Sequence, residues 1–131
     1  MLLDSNIIIY AAQPEHAALR QFIKEHAPAV SVISYIEVLG FHRLNDDDRQ
    51  FLEQFFQATQ MLPLSDGIVQ WAVRLRQRRK MTLGDAIVAG TALAHERTLI
   101  THNTEDFRWI DEIKLLDPLT KDAQSGKGGH R

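Results

Sequence analysis

Residues 82–107 read TLGDAIVAGTALAHERTLITHNTEDF, and this stretch decides the fold more than any other part of the chain. Thr82 is of a type that caps helices, and the small and apolar residues after it predict a helix to about Glu96 that can pack closely on a sheet. A strand is predicted at Thr98–Thr101 and a short helical turn at Thr104–Trp109. A helix that leads directly into a strand indicates an α/β fold.

The rest of the chain continues this alternation outward from that stretch. Four further short strands are predicted, at Met1–Asp4, Ala29–Val32, Met61–Pro63 and Lys114–Leu116. Further helices are predicted directly after Asp4, at Glu15–His26, from Tyr35 towards Arg43 with Ser34 as its cap, from Asp46 to about Thr59, and from a cap at Ser65 or Asp66 through Arg79. The alternation predicts one three-layer α/β domain, with a central, mostly parallel sheet of four to five short strands flanked by helices.

Length and composition narrow the class of protein. The 131 residues suit a single domain, and the absence of cysteine excludes disulfides, thiolate zinc sites and cysteine nucleophiles. The first residues lack a basic signal-peptide region and no apolar run is long enough to span a membrane, so we expect no membrane partner and a cytoplasmic location. We expect the folded domain to cover residues 1–118, followed by a polar, disordered tail over 119–131.

The net charge of −2 gives no general attraction to nucleic acid, but the basic residues are unevenly distributed. A dense cluster lies near the end of the helix predicted before Thr82, at Arg74, Arg76, Arg78, Arg79 and Lys80. This basic cluster can face phosphates, or it can be a solvated helix end that complements the helix dipole. The sequence leaves both interpretations open.

Four carboxylates stand in distinctive settings: Asp4, Glu37, Asp85 and Asp106. Each has a purely structural alternative. Asp4 can cap the helix that follows it, Glu37 can be a solvated helix residue, and Asp106 can belong to a solvated acidic pair. Asp85 follows Thr82 by three residues, which is also the spacing of a capping box. Taken singly, the four residues therefore do not establish a site.

Taken together, the four carboxylates favour a metal site. Asp4 and Asp106 follow predicted strands, while Glu37 and Asp85 lie early in predicted helices, so all four can meet at one end of a parallel sheet. Repelling anions in one pocket are tolerated when a divalent cation lies between them, and oxygen ligands select Mg²⁺ or Mn²⁺. Such an ion can activate water for phosphodiester hydrolysis. Thr101, which ends a predicted strand, can add a hydroxyl group to the same site.

The motifs that carry these residues resemble those of the PIN-domain family, in particular the VapC-type toxins of toxin–antitoxin pairs. The resemblance covers about the first 118 residues and rests on LLDSN, SYIEVLG, GDAIVAGTALAHERTLITHNTEDF and KLLDP. It implies a Mg²⁺- or Mn²⁺-dependent endoribonuclease that binds its metal through Asp4, Glu37, Asp85 and Asp106. It also implies supporting or water-positioning roles for four polar residues, Ser5, Asn6, Thr101 and Asn103.

The resemblance further implies partners. Members of this family usually form homodimers and are inhibited by a small antitoxin whose tail covers the active site. The complex often binds its own operator DNA, and the antitoxin makes that contact. RNA is the expected substrate, with four candidate contacts at His102, Arg74, Arg78 and Lys80.

This sequence departs from the family pattern at two positions. Ser5 stands where Thr is common, which keeps the hydroxyl group. His102 stands where many members have Arg or Lys, so it either contacts a substrate phosphate in a pH-sensitive way or lies on the surface. The remaining alternatives are a PIN-like RNA-processing nuclease without a toxin role and a non-catalytic, magnesium-binding receiver-like module. The receiver needs an acidic pair after the first strand and a lysine where Thr101 stands.

Overall fold

The structure, a computed structural model, describes residues 1–119, and its centre is one parallel sheet of five short strands. The strands are β1 (Leu2–Leu3), β2 (Ala29–Ser31), β3 (Met61–Leu62), β4 (Leu99–Ile100) and β5 (Leu115–Leu116). They lie in the order β3-β2-β1-β4-β5, and every neighbouring pair is parallel. The predicted sheet is confirmed. Because the chain builds out from β1 first to one side and then to the other, the crevice of the sheet lies at the carboxyl end of β1.

Six helices accompany the strands within the described residues. They are α1 (Ser5–Ala11), α2 (Ala17–His26), α3 (Val32–Leu39), α4 (Asp46–Gln57), α5 (Asp66–Arg78) and α6 (Leu83–Ala94). A short 3₁₀ turn covers Thr104–Asp106, which is shorter than the predicted turn because Phe107 leaves it to enter the core. The capping predictions at Thr82 and at Ser65 are confirmed, since each side chain accepts a backbone N–H bond at its helix start.

The start of α3 differs from the prediction. Ser31, not Ser34, caps this helix, and its hydroxyl accepts the N–H of Ile33 at 3.1 Å. Ser31 is the last residue of β2, so its backbone is already extended, as a capping residue requires. Ser34 is therefore an internal helix residue, and it is fully buried.

The sheet carries an apolar layer on each face. Leu2 and Leu3 are both fully buried, and they belong to different core clusters because successive strand residues point to opposite faces. Leu2 packs with residues of α5 and α6, and Leu3 packs with residues of α1, α2 and α4. A two-residue strand thus holds both layers together.

The helices α5 and α6 pack closely against each other. A Cβ atom added at Gly90 would lie 3.0 Å from the carbonyl oxygen of Ile68, so glycine permits this approach. The buried alanines of α6 allow it to lie close to the sheet, as its composition predicts. Because α6 leads directly into β4 of a parallel sheet, it runs opposite to the strands, and its amino end, with Asp85, lies at their carboxyl ends.

The predicted tail over 119–131 lies outside the described residues except for Leu119, which packs against the core cluster around Leu3. Over residues 1–119, no helix is both long and apolar enough to cross a bilayer.

Candidate active site

Asp4 is a buried carboxylate at the carboxyl end of β1, with only 5% of its surface exposed. Its Oδ1 accepts the N–H of Ser5 at 2.8 Å, so it does cap α1. Its Oδ2 accepts the hydroxyl of Thr101, also at 2.8 Å. The capping role and the site role predicted for Asp4 are thus compatible, because each carboxylate oxygen has a different donor.

Thr101 joins the ends of two adjacent strands. It is fully buried directly after β4, and its Oγ1 also accepts the N–H of Asn103 at 3.0 Å. One hydroxyl therefore orients the carboxylate after β1 and shapes the loop that carries Asn103 towards Asp106. These contacts are compatible with the supporting role predicted for Thr101, which stays a prediction.

A second polar group joins α1 to α3. The hydroxyl oxygen of Ser5 lies 2.8 Å from Oε1 of Glu37 and 2.9 Å from the hydroxyl of Ser34. A carboxylate only accepts, so Ser5 donates to Glu37 and accepts the proton of Ser34. Ser34 is a member of the site that the sequence prediction missed by treating it as a cap. The signal was its spacing of three residues from Glu37, which places both on one helix face.

The first turn of α6 closes the site from the other side. Thr82 accepts the N–H of Asp85 at 3.1 Å, which is the helix half of the predicted capping box. The backbone of Gly84 lies against the carboxylate of Glu37, and a Cβ atom added there would collide with Oε2. Glycine at this position is what lets α6 approach Glu37.

The four carboxylates lie close enough for their charges to act on the pKa values of Asp4 and Asp85. Burial is the main cause that raises the pKa of Asp85 to about 6, and the charges of Asp4, Asp106 and Glu37 add to it, while a hydrogen bond with Thr82 opposes it. Burial likewise raises the pKa of Asp4 above its ordinary value. The hydrogen bonds from Thr101 and Ser5 oppose that rise, and the charges of Glu37 and Asp106 add to it.

The donor set suits a hard divalent cation. All four predicted ligands present carboxylate oxygens, and no basic side chain is among the groups that shift the pKa of Asp4 or Asp85. No three His, Asp or Glu side chains within residues 1–119 converge closely enough to form a ready-made chelating group. The chemistry of the residues therefore fits Mg²⁺ or Mn²⁺, although their side chains do not form a closed cage.

The supporting residues differ in how well they are held. Asn6 is half-buried in the first turn of α1, and Asn103 is placed through its backbone bond to Thr101. His102 is exposed, its Nδ1 lies 3.0 Å from Oδ2 of Asp117, and its ring meets Tyr10 edge-on at 6.0 Å. The imidazole is thus engaged by the protein through Nδ1.

The basic candidates at the end of α5 have distinct surroundings. Arg78 forms a two-fold ion pair with Glu112, at 3.0 and 2.9 Å. The guanidinium of Arg74 lies 5.2 Å from the ring centre of Trp71. Lys80 is exposed and forms no ion pair with any carboxylate of residues 1–119.

Comparison with known proteins identifies one matching family, and the similar proteins are a ribonuclease and members of toxin–antitoxin complexes. The family model described as PIN domain matches residues 1–113. Ribonuclease VapC1 of Rickettsia felis is 26% identical over 133 residues, covering 93% of this chain and 98% of that protein. A toxin–antitoxin complex from Klebsiella pneumoniae is similar at 29% identity and a TM-score of 0.72, covering 89% and 96% of the two chains. VapBC2 of Rickettsia felis, bound to a DNA fragment from its promoter, shares the fold at 20% identity and a TM-score of 0.77, with 88% and 96% covered.

Proposed function

The chain belongs to the PIN-domain family, and from this premise we propose that it is a metal-dependent endoribonuclease acting as the toxin of a toxin–antitoxin pair. The observation that carries the proposal is Asp4, a buried carboxylate at the crevice of the sheet. Burial and the charges of Glu37 and Asp106 raise its pKa, and burial and the charges of Asp4, Asp106 and Glu37 raise the pKa of Asp85. The similarity to Ribonuclease VapC1 and to toxin–antitoxin complexes supports it.

Asp4, Glu37, Asp85 and Asp106 would hold the ion. When bound, Mg²⁺ or Mn²⁺ supplies the acidification of water and the neutralisation of phosphate charge that phosphodiester hydrolysis needs.

The protein's own residues hold the carboxylates in place and accept the proton that the reaction releases. Thr101 and the N–H of Ser5 fix the two oxygens of Asp4, and Ser5 fixes Glu37. The proton of the attacking water would pass to a nearby carboxylate oxygen of the acidic site. Asp106 is exposed at the rim of the site and acts through water.

Substrate positioning falls to residues around the rim. We propose that Asn6 and Asn103 orient water or phosphate oxygens, and that the exposed side chains of His102 and Lys80 contact RNA. Arg78 would have to leave its pair with Glu112, and Arg74 its position over Trp71, to make such a contact.

A groove beside Glu37 supports the toxin role over that of an unregulated nuclease. It encloses about 310 Å³, and its walls include Ile9, Val38 and Phe41. Ile9 and Phe41 are 41% and 51% exposed, and apolar side chains left open around a groove are typical of a site for a protein partner. An antitoxin segment bound there would stand at the entrance to the acidic site. We further propose a cytoplasmic homodimer that meets operator DNA only through its antitoxin.

Expression in a bacterial host tests the proposal. The intact chain should arrest growth, and the Asp4→Asn variant should not, while both accumulate as folded protein by circular dichroism. Purified protein should cut RNA with Mg²⁺ or Mn²⁺, and a chelator should stop cleavage. Full activity of Asp4→Asn would contradict the site, whereas cleavage without growth arrest would leave a PIN-like nuclease without a toxin role.

A receiver-like module has no support in the geometry. Its lysine position is held by Thr101, whose hydroxyl is committed to Asp4.

A further inference from the structure

Within the basic cluster, Arg79 has surroundings that no other member shares. It is the residue directly after α5, and its guanidinium carbon lies 5.5 Å from the ring centre of Trp109. A guanidinium over an indole face is held by cation–π attraction and by stacking. Arg79 is therefore oriented before any ligand arrives.

Trp109 ties this arrangement to the acidic site. Its indole Nε1–H donates to the backbone carbonyl of Asp106 at 2.9 Å, and its ring packs partly against the core around Leu2. The guanidinium of Arg79 is thus separated from Asp106 by one aromatic ring and one hydrogen bond. The position of the ring is set from both sides, by the core and by the turn that carries Asp106.

The charge of Arg79 is also less compensated than the charges of nearby arginines. Arg78 is paired with Glu112, and Arg108 is paired with Glu105 at 3.0 Å. No carboxylate of residues 1–119 lies within ion-pair distance of Arg79. Its planar fork of donors is consequently available to an external anion.

We propose that Arg79, held on Trp109, binds a phosphate of single-stranded RNA next to the phosphate that is cut. The proposal rests on the nuclease function proposed above. A site made of four carboxylates repels a polyanion, so a substrate phosphate needs a fixed positive charge close by. A guanidinium offers two parallel N–H donors to phosphate oxygens, and its stacking on an indole lowers the entropy lost on binding.

A binding experiment with a matched control tests the contact. Affinity for a fluorescein-labelled single-stranded RNA oligonucleotide of mixed sequence is measured by anisotropy in the Asp4→Asn background, across a series of salt concentrations. Arg79→Gln should weaken binding about tenfold, as loss of one charge-assisted hydrogen bond does. It should also reduce the slope of log affinity against log salt by about 0.7, the value for one phosphate contact on a single strand. Arg108→Gln removes the same charge one residue from Trp109 and should change both quantities much less.

Two conservative variants separate a positioned guanidinium from mere charge. Arg79→Lys keeps the charge but loses the planar fork, and Trp109→Phe keeps an aromatic ring but loses the bond to Asp106. Each should fall between the parent protein and Arg79→Gln, with a melting temperature close to that of the parent. In the cleaving protein, Arg79→Gln should raise KM about tenfold with little change in kcat.

The outcomes distinguish the two proposals. If the intact chain cuts no RNA, the nuclease proposal fails. If it cuts RNA but Arg79→Gln matches Arg108→Gln in affinity, salt slope and KM, the nuclease stands and the phosphate contact is wrong. If Arg79→Gln leaves RNA binding unchanged and weakens only the affinity of a co-purified antitoxin, Arg79 serves a protein partner and the RNA contact is likewise wrong.

Discussion

The strands of the sheet begin at one end, here called the amino edge, and finish at the other, the carboxyl edge. The two edges differ in the groups that surround the strand ends. At the amino edge, backbone groups satisfy one another: Leu2 donates to the carbonyl of Thr98, and Ala29 donates to that of Met1. At the carboxyl edge, backbone bonds such as that from Asp4 to the carbonyl of Ile100 continue, but polar side chains are added, and Asp4, Ser31 and Thr101 are all buried there. The carboxyl edge thus differs from the amino edge in the polar side chains that it withdraws from water.

This difference indicates that the carboxyl edge lowers the free energy of unfolding relative to an edge without buried carboxylates. Burying a carboxylate costs free energy that a backbone hydrogen bond at the same place would not cost. Groups with perturbed pKa values concentrate at functional sites, and here both carboxylates with raised pKa values, Asp4 and Asp85, belong to the carboxyl edge. The following predictions test whether the asymmetry between the edges is functional.

The largest effect is expected from Thr101→Val, which removes a buried donor from Asp4. We expect unfolding to become easier by about 2 kcal/mol, because a hydrogen bond to a buried charged group is lost. Cleavage should fall roughly 10- to 100-fold, as is typical when the partner of a metal-binding residue is removed. Chemical denaturation and single-turnover cleavage measure the two quantities.

Thr91→Val is the control for this substitution. Thr91 is also fully buried, but its hydroxyl donates to the helix carbonyl of Ile87, away from the acidic residues. Equal losses of activity in the two variants would show that any buried threonine matters, and the special status of the carboxyl edge would be lost.

The next effect concerns two glycines at equivalent helix positions, the second residue of α6 and the second residue of α5. Gly84→Ala should push the carboxylate of Glu37 aside and lower cleavage about tenfold, because catalytic groups tolerate little displacement. The fold should survive, since the displaced group is the end of a flexible side chain. Gly67→Ala meets nothing closer than 4.0 Å and should leave cleavage unchanged while stabilising α5 slightly. If the two alanines behave alike, Glu37 is not part of the active site.

A smaller effect should appear in the pH dependence of stability. The pKa of Asp85 in the folded protein is about 6, above its ordinary value, so the folded state binds more protons than the unfolded state between about pH 4 and pH 6. Stability in the presence of a chelator should therefore fall as pH rises through this range. The contribution is about 1 kcal/mol once the solvent screening of a half-buried group is allowed for.

Thermal unfolding at pH 5 and pH 7 measures this effect, with Asp85→Asn as the comparison. The variant should lose most of the difference that Asp85 causes. Mg²⁺ should stabilise the parent protein more at pH 7 than at pH 5, because protons compete with the metal for the carboxylates. If the pH dependence is the same in Asp85→Asn as in the parent protein, Asp85 does not have the raised pKa that the acidic site requires.

The smallest effect is expected at the amino edge. Arg97 makes long hydrogen bonds there, 3.4 Å to the carbonyl of Met1 and 3.5 Å to the side chain of Gln60. Arg97→Gln should change stability by about 0.5 kcal/mol or less and leave the cleavage rate as it is. A large loss of cleavage in this variant would contradict the functional contrast between the edges.

Local sequence patterns predicted the helices and strands well. They could not predict the contacts between residues of different helices and strands. The cap at Thr82, the small-residue helix α6 and the strand before Thr101 follow from neighbouring residues, and the structure confirms them. The bond of Ser5 to Glu37 spans 32 residues, and it depends on how α1 and α3 meet. Two serines near the end of β2 are equally good caps by residue type, and only the exact end of β2 selects Ser31. The role of Ser34 was missed for the same reason.

The bond between Asp4 and Thr101 spans 97 positions of the chain, and it ties the site to the order of synthesis. In the growing chain, Asp4 is made 97 residues before the threonine that orients it, so its carboxylate has no donor from Thr101 until β4 has been translated. Prematurely terminated products that lack β4 leave the first carboxylate without its partner and the central strand with one edge open. Such fragments lack Asp106 as well as Thr101, so we expect them to have no cleavage activity.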